Sequence, residues 1–278
     1  MLANISDRNG APGWHWWRDS DAFWVPMTFE EGLSRLMDAK GIVPSRKEIM
    51  TGIEYAARLE PPFGGTKILC VGRNYRPHAE ELGNPVPKEP LWFMKPPSSL
   101  VAPGGAICLP AGFGRIDYEG ELVLVIGSRA SRIRRENALD VIAGVTLAND
   151  VTARELQKTD GQWTRAKGFD TFCPLGPVIL PFGPWASSAR LTTELNGKTV
   201  QDDRMTSLVF DFAELIAHIS TCMTLMPGDL VLTGTPAGVG PLDAGDTIDV
   251  AISCAAGASS TNDRVLRLST RVTERPAH

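Results

Sequence analysis

Apolar and polar residues alternate along residues 117–127, which read DYEGELVLVIG. This period of two predicts a β-strand. One face of the strand is apolar and carries Leu122, Leu124 and Ile126. The other face carries Glu119 and Glu121, whose α-carbons would lie roughly 6.5 to 7 Å apart. Two carboxylates this close raise the cost of ionising each other unless a cation neutralises both. The alternative is an exposed strand edge with solvated glutamates, and this motif alone leaves both interpretations open.

The rest of the pattern predicts short strands and a few helices. The expected strands are 68–72, 144–150, a hairpin around the Asn196-Gly197 turn, and 230–232. The expected helices are 28–40, with Thr28 as N-cap, then 46–59 and 211–221. These elements indicate a strand-rich α+β fold.

The first 66 residues differ in character from the rest. Four of the seven tryptophans fall within residues 1–24, amid Gly, Asp and Asn, which suggests an irregular arm held by aromatic packing. The punctuation Pro61, Pro62, Gly64 and Gly65 ends the region. We therefore expect a small N-terminal helical and irregular region over 1–66 and a catalytic domain over 67–278.

Composition limits the function classes. The 278 residues are 43% hydrophobic and 22% charged, with a formal net charge of -4, which is ordinary for a globular protein and argues against a nucleic-acid partner. The five cysteines are scattered and lack CxxC spacing, so we expect reduced thiols. No apolar run reaches membrane-spanning length. A cytoplasmic protein without a membrane partner is the expectation.

Further carboxylates and an imidazole add candidate chemistry. His78 and Glu81 stand three residues apart in a predicted helical turn, where a carboxylate can raise the basicity of the imidazole. A surface ion pair is the alternative for this dyad. Asp150 ends the strand 144–150. If it meets Glu119 and Glu121, the all-oxygen site would suit Mg²⁺, Mn²⁺ or Ca²⁺ better than zinc.

Five motifs, in this order and spacing, carry a resemblance to a known family. They are GRNYRPHAEE, DYEGELVLVIG, NDVTARELQ, WTRAKGFDTFCPLGP and GDLVLTGTPAGVG. The chain resembles the fumarylacetoacetate hydrolase family over roughly residues 67–250. The resemblance implies a mixed β-sandwich roll, usually found as a homodimer. Both ends depart from the family pattern: the tryptophan-rich arm is not its usual β-rich N-terminal region, and the stretch SCAAGASSTNDRVLRLSTRV lacks its Gly-x-Leu-x-Asn pattern.

The resemblance also implies roles for individual residues. Glu119, Glu121 and Asp150 would hold the Mg²⁺ or Mn²⁺, and His78, Glu81 and Lys167 would be catalytic. Arg73, Gln157 and Thr235 would contact a small-molecule 2-oxo acid or diketone substrate. His78, oriented by Glu81, would activate water on the metal-chelated substrate, and Lys167 and the metal would stabilise the enolate left by carbon-carbon cleavage.

We therefore expect a hydrolase that cleaves a carbon-carbon bond in a 2,4-dioxo acid or 1,3-diketone, such as an acylpyruvate. The alternative is a decarboxylase, isomerase or hydratase of 2-oxo acids or diacids from the catabolism of aromatic compounds, because the same enolate chemistry serves these reactions. A non-catalytic scaffold is a third hypothesis, and the presence of both metal ligands and a dyad argues against it.

Overall fold

The computed structural model describes residues 1–6, 11–18, 23–41, 49, 58–81, 83, 85–254 and 264–274. Strands dominate these residues, as the sequence predicts. In chain order the strands are β1 Leu2–Ser6, β2 Pro12–Arg18, β3 Phe23–Met27, β4 Leu59–Glu60, β5 Ile68–Gly72, β6 Leu91–Lys95, β7 Leu100–Val101, β8 Ala106–Leu109, β9 Ile116–Tyr118, β10 Gly120–Ile126, β11 Ile142–Asn149, β12 Thr152–Ala153, β13 Cys173–Pro181, β14 Arg190–Leu195, β15 Lys198–Arg204, β16 Leu230–Leu232, β17 Gly240–Pro241, β18 Thr247–Ser253 and β19 Arg264–Glu274.

Helices are few and short. The α-helices are α1 Phe29–Asp38, α2 Arg76–Glu81, α3 Arg154–Thr159, α4 Thr164–Lys167 and α5 Phe212–Cys222. Short 3₁₀-helices cover Pro97–Ser99, Arg135–Val141, Pro184–Ser188 and Met205–Ser207. Among the described residues, no helix is both long and apolar enough to cross a membrane.

Three sheets organise the strands. The largest has the order β3-β2-β1-β13-β11-β10-β16-β5-β6, with β4 beside β1 and β7 beside β13. A second sheet has the order β15-β14-β18-β19-β8, and a small third sheet has the order β12-β9-β17. Most pairs are antiparallel, but β16 runs parallel to β5. The architecture is the mixed, strand-rich α+β fold that the resemblance implies.

The alternation in β10 places side chains in two separate cores. Leu122 and Leu124 join the cluster between the large sheet, the second sheet and α5. Val123 and Val125 join the cluster on the opposite face of the large sheet, where α1 contributes Leu33. Both faces of the strand are therefore buried, and the exposed-edge interpretation of this stretch is wrong.

The tryptophan-rich segment is not an irregular arm, which corrects the expectation. Its described residues form the antiparallel meander β1-β2-β3, and β1 joins the large sheet beside β13. Trp17 is buried against Trp24, with ring centroids 5.3 Å apart, and Trp14 packs on Phe29. Aromatic packing does hold the segment in place, but it does so within a regular sheet. The described part of the N-terminal region is thus β-rich.

The helices predicted over 28–40 and 211–221, which fall on described residues, are confirmed. Thr28 caps α1 through a capping box, in which Glu31 N donates to Thr28 Oγ1 at 3.2 Å and Thr28 N donates to the Glu31 carboxylate at 2.8 Å. Asp211 caps α5. The helix predicted over 46–59 lies largely outside the described residues, and its last residue, Leu59, belongs to strand β4. The boundary predicted near residue 66 stays a prediction.

Candidate active site

A break in the strand ladder brings three carboxylates together. Residues 117–127 form two strands and not the single strand expected, because Glu119 lies at a corner between β9 and β10. Its N–H donates to the Asn149 side chain at 2.8 Å, and its carbonyl accepts from Asp150 N at 2.8 Å. Glu119, Glu121 and Asp150 are all buried, and their ligand oxygens lie within 4.8 Å of one another. The hypothesis that these three residues meet is confirmed.

Two buried lysines neutralise part of this charge. Lys167 Nζ donates to both Glu119 Oε2 and Asp150 Oδ2 at 2.6 Å, and it lies 5.0 Å from the centroid of the Phe93 ring. Lys95 Nζ donates to Asp150 Oδ1 at 2.6 Å. Burial favours the neutral amine of Lys167, but the charges of Asp150 and Glu119 outweigh burial and raise its pKa. Lys167 therefore stays a cation inside the site.

Glu121 is different because, within the described part of the chain, it receives only one hydrogen bond. Gly234 N donates to its Oε2 at 2.7 Å, and no cationic side chain among the described residues pairs with it. Burial, followed by the charges of Asp150 and Glu119, raises the pKa of Glu121 well above its ordinary value. A hard divalent cation would supply the missing positive charge, and an all-oxygen donor set suits such a cation. The residues therefore fit the metal that the resemblance implies.

Arg154 connects the carboxylates to a predicted substrate residue. Its guanidinium bonds Asp117 Oδ2 at 2.7 Å, contacts Glu119 Oε1 at 2.7 Å and donates to Gln157 Oε1 at 2.8 Å. Burial favours the neutral form of Glu119, but Lys167 and then Arg154 outweigh burial and hold its pKa below the usual range. Because Arg154 occupies the carbonyl oxygen of Gln157, the amide NH₂ of Gln157 is directed to other partners.

His78 and Glu81 lie on one face of α2, as predicted, but they share no hydrogen bond. His78 Nδ1 is 3.7 Å from Glu81 Oε2 and has no hydrogen-bond partner among the described residues, while the Glu81 carboxylate accepts from Gly238 N at 3.1 and 3.2 Å. Burial lowers the pKa of His78, and the opposing charge of Glu119 does not fully offset this effect. The imidazole is therefore neutral near pH 7 and can accept a proton.

Backbone strain shapes the position of Arg73. Its φ of +57° is in the left-handed region that non-glycine residues seldom adopt. The next residue, Asn74, is buried and holds the turn by donating to Phe210 O and Thr233 O and by accepting from Phe210 N. The Arg73 guanidinium lies 5.9 Å from the centroid of the Trp163 ring, within range of a cation-π contact. Such enforced strain is typical of functional sites.

A cavity of about 330 Å³ joins these residues. It is lined by eight of the nine predicted site residues, namely Arg73, His78, Glu119, Glu121, Asp150, Gln157, Lys167 and Thr235. Glu81 is not part of the lining. Thr235 is fixed there because its hydroxyl donates to Gly120 O at 2.9 Å and accepts from Gln201 Nε2 at 2.8 Å. The roles of the individual residues stay predictions.

Sequence reasoning missed several residues of the site. Arg154, Lys158, Trp163, Val71 and Gly72 also line the cavity, and Lys95 supports Asp150 from behind. The helical spacing of Arg154, Gln157 and Lys158 was a usable signal, because positions i, i+3 and i+4 share one face. Lys95 offered only a weak signal, a lysine at the end of an apolar strand.

The fold and the buried acidic cavity are those of proteins with the fumarylacetoacetate hydrolase fold. The chain belongs to the fumarylacetoacetate hydrolase family: the family model described as "Fumarylacetoacetate (FAA) hydrolase C-terminal" matches residues 67–272. Members of this family are enzymes, and they commonly bind a divalent metal.

Relatives with named activities include isomerases and a tautomerase. The chain is 46% identical over 198 residues to the mitochondrial oxaloacetate tautomerase of Arabidopsis thaliana, covering 68% of this chain and 87% of the relative. It is 33% identical to the 5-carboxymethyl-2-hydroxymuconate delta-isomerase of Mycobacterium smegmatis and 34% identical to the 2-hydroxyhepta-2,4-diene-1,7-dioate isomerase of Mycobacterium marinum. Both structures match with a TM-score of 0.75 over 99% of each chain.

Proposed function

We propose that this protein is a divalent-metal-dependent enzyme that interconverts keto and enol forms, or double-bond isomers, of a 2-oxo acid through an enolate. One observation carries the proposal: three buried carboxylates lie within 4.8 Å of one another in a cavity that also holds a charged lysine and a neutral histidine. The similarity to a tautomerase and two isomerases supports this outcome over hydrolysis.

The metal would be held by Glu119, Glu121 and Asp150. When bound, Mg²⁺ or Mn²⁺ supplies Lewis-acid polarisation of the adjacent carboxylate and keto oxygens of a 2-oxo acid. Behind the ligands, Lys95 orients Asp150, and Arg154 orients Glu119. Such support from a second layer of residues is typical of metal sites.

Proton movement is assigned to His78. Its imidazole is buried and neutral, so it can remove a proton from the carbon next to the polarised carbonyl and return it to another atom of the same substrate. Lys167 is a fixed cation that stabilises the negative charge developing on the enolate oxygen. The Gln157 amide NH₂ can donate to the same oxygen, because Arg154 holds its carbonyl end.

Carbon-carbon hydrolysis is the second candidate. The same neutral histidine could deprotonate water instead of carbon, and Glu81 is near enough to pair with it after a small side-chain rotation. The distance of 3.7 Å between Nδ1 and Oε2 means that the pair is not preset for that role here. Proton transfer on the substrate itself needs only His78, so we place it first.

Product analysis separates the two candidates. Purified protein with Mg²⁺ or Mn²⁺ would be given oxaloacetate, a 2-hydroxy-dienoate and an acylpyruvate, and the products followed by NMR in D₂O. We expect deuterium incorporation or an isomer at a rate above the uncatalysed background. Two acid fragments from the acylpyruvate would instead establish hydrolysis.

His78→Ala tests the base in the same assay. The expected loss is about 10²- to 10⁴-fold in kcat, the usual range for a general base. His218→Asn is a matched control, since His218 is half-buried on α5 and does not line the cavity. Full turnover by His78→Ala, with metal content unchanged, would contradict the assignment. The homodimer stays a prediction, which light scattering of the purified protein would check.

A further inference from the structure

The cations that line the cavity fall into two groups. Arg154 and Lys167 are already engaged, since each contacts the carboxylate of Glu119. Arg73 and Lys158 also line the cavity, and no carboxylate of the described residues lies within ion-pair distance of either. Among the described residues, these two positive charges therefore have no carboxylate partner, although Arg73 lies near the Trp163 ring.

The neighbours of Lys158 on its own segment explain why its ammonium is available. Asp160 takes both guanidinium bonds of Arg165, at 2.7 and 2.5 Å. The carboxylate of Glu155 lies against Gly114, where a β-carbon would approach it to 2.1 Å. Lys158 lines the cavity together with Arg154 and Gln157 of the same helix, so its side chain lies beside the ligand space.

Part of the cavity wall is apolar. Val71 and the Trp163 ring line it, and the ring lies directly over Gly72, where an added β-carbon would come within 2.6 Å of a ring carbon. The carboxylates are buried, whereas Lys158 is exposed and Arg73 half-buried. The cavity therefore combines buried carboxylates, an apolar stretch of wall and two cations that are more exposed than the carboxylates.

From this arrangement we propose that Lys158, together with Arg73, binds a second, distal carboxylate of the substrate, and that Lys158 selects dicarboxylates over monocarboxylates. This inference rests on the proposed function. The 2-oxo acid end would lie at the buried carboxylates, the carbon chain would follow Val71 and Trp163, and the distal carboxylate would reach the two more exposed cations. An ammonium with no carboxylate partner among the described residues costs little desolvation when it meets this carboxylate, because it is already near solvent.

The test compares a 2-oxo diacid with its distal monomethyl ester, which has the same carbon chain without the second charge. In Lys158→Glu, we expect kcat/KM for the diacid to fall about 10- to 100-fold, the range of a charge-assisted hydrogen bond. The loss should appear in KM, and kcat/KM for the ester should change less than about threefold. Lys158→Arg should restore the diacid preference.

Lys198→Glu is the control, because Lys198 is an exposed lysine beside the Asn196-Gly197 turn, outside the cavity. It makes the same charge change in the whole protein without touching the site. Equal losses for diacid and ester in Lys158→Glu, or no loss for either, would overturn the inference. Activity of the unaltered protein on both substrates would still support the proposed function, so the two failures are distinguishable.

Discussion

Two buried carboxylates near opposite ends of strand β16 differ in how many hydrogen bonds they accept. Before the strand, Asp229 accepts hydrogen bonds from Thr66 N, Thr66 Oγ1, Lys67 N and Met226 N at 2.7 to 3.1 Å, and it also pairs with Lys67 Nζ. After the strand, Gly234 N is the single donor to Glu121 that the described residues provide. Both side chains belong to residues that are at most 1% exposed.

The pKa values move in opposite directions as a result. Burial alone would raise the pKa of Asp229, but its hydrogen bonds from Lys67, Met226 and Thr66 outweigh burial and lower it. Burial raises the pKa of Glu121, and neighbouring carboxylates add to the effect. A buried carboxylate whose oxygens all accept hydrogen bonds from the chain has a structural role. A buried carboxylate with few donors, next to other carboxylates, indicates a ligand-binding site.

The largest expected effect comes from Glu121→Gln, which removes a proposed metal ligand while preserving shape. We expect kcat/KM to fall by more than about 100-fold, because substitution of a residue that only supports a metal ligand already lowers metal affinity or activity about 10- to 100-fold. Without metal, the free energy of unfolding should stay the same or rise, since repulsion with Asp150 and Glu119 is relieved. Steady-state kinetics and urea unfolding in EDTA measure the two quantities.

Glu136→Gln serves as the control for this change, because Glu136 is an exposed carboxylate. Saturating Mn²⁺ should raise the melting temperature of the unaltered protein and of this control, but not that of Glu121→Gln. An unchanged kcat/KM in Glu121→Gln would contradict the proposed role of Glu121 as a metal ligand.

Asp229→Asn should show the reverse pattern. The substitution breaks a set of charge-assisted hydrogen bonds and leaves Lys67 without its partner, so we expect a loss of about 2 to 3 kcal/mol in unfolding free energy. The folded fraction should keep its activity and its response to Mn²⁺. Urea unfolding gives the stability, with Asp140→Asn as an exposed control. A loss of activity without a loss of stability would contradict the structural role.

The smallest expected effect is on how the stability difference between the unaltered protein and Asp229→Asn depends on pH. The folded-state pKa of Asp229 is lowered, so its contribution to stability is fully present above the unfolded-state value of about 3.9 and is lost as pH falls through the lower folded-state value. The gap in unfolding free energy between the unaltered protein and Asp229→Asn should therefore narrow from about pH 5 toward pH 2. A gap that widens over this range would show that Asp229 is not held ionised in the folded protein.

Local patterns made part of the site predictable. The local alternation suggested that Glu119 and Glu121 belong to one site, and their carboxylates do meet, although a break between β9 and β10 positions Glu119. Thr28 was predictable as the cap of α1 because capping depends on neighbouring residues. The meeting of Asp150 with this pair depends on β10 pairing with β11, a long-range contact that no local period encodes. Only the resemblance to the family suggested it.

Two kinds of residue were harder to predict: those in strands that are buried on both faces, and single buried charges. The segment PGWHWWR is strand β2, yet Trp16 packs toward one core and Trp17 toward the other, so the alternation that would reveal a strand is absent. Lys95 is buried because it meets Asp150 across the fold. A lysine in sequence is expected at the surface, and only tertiary structure identifies its partner.

The pairing of Leu2 in β1 with Ile179 in β13 also sets an order of events during synthesis. The meander β1-β2-β3 can form locally, and β4 pairs with Asn4 and Ile5 on the outer edge of β1, but Leu2 has no β13 to pair with until residue 179 has emerged. At translation rates of about 5 to 20 residues per second, that interval is roughly 10 to 35 s. Over this time the Leu2 end of β1 lacks its sheet partner, so the start of the N-terminal meander is where we expect chaperones to engage this protein during synthesis.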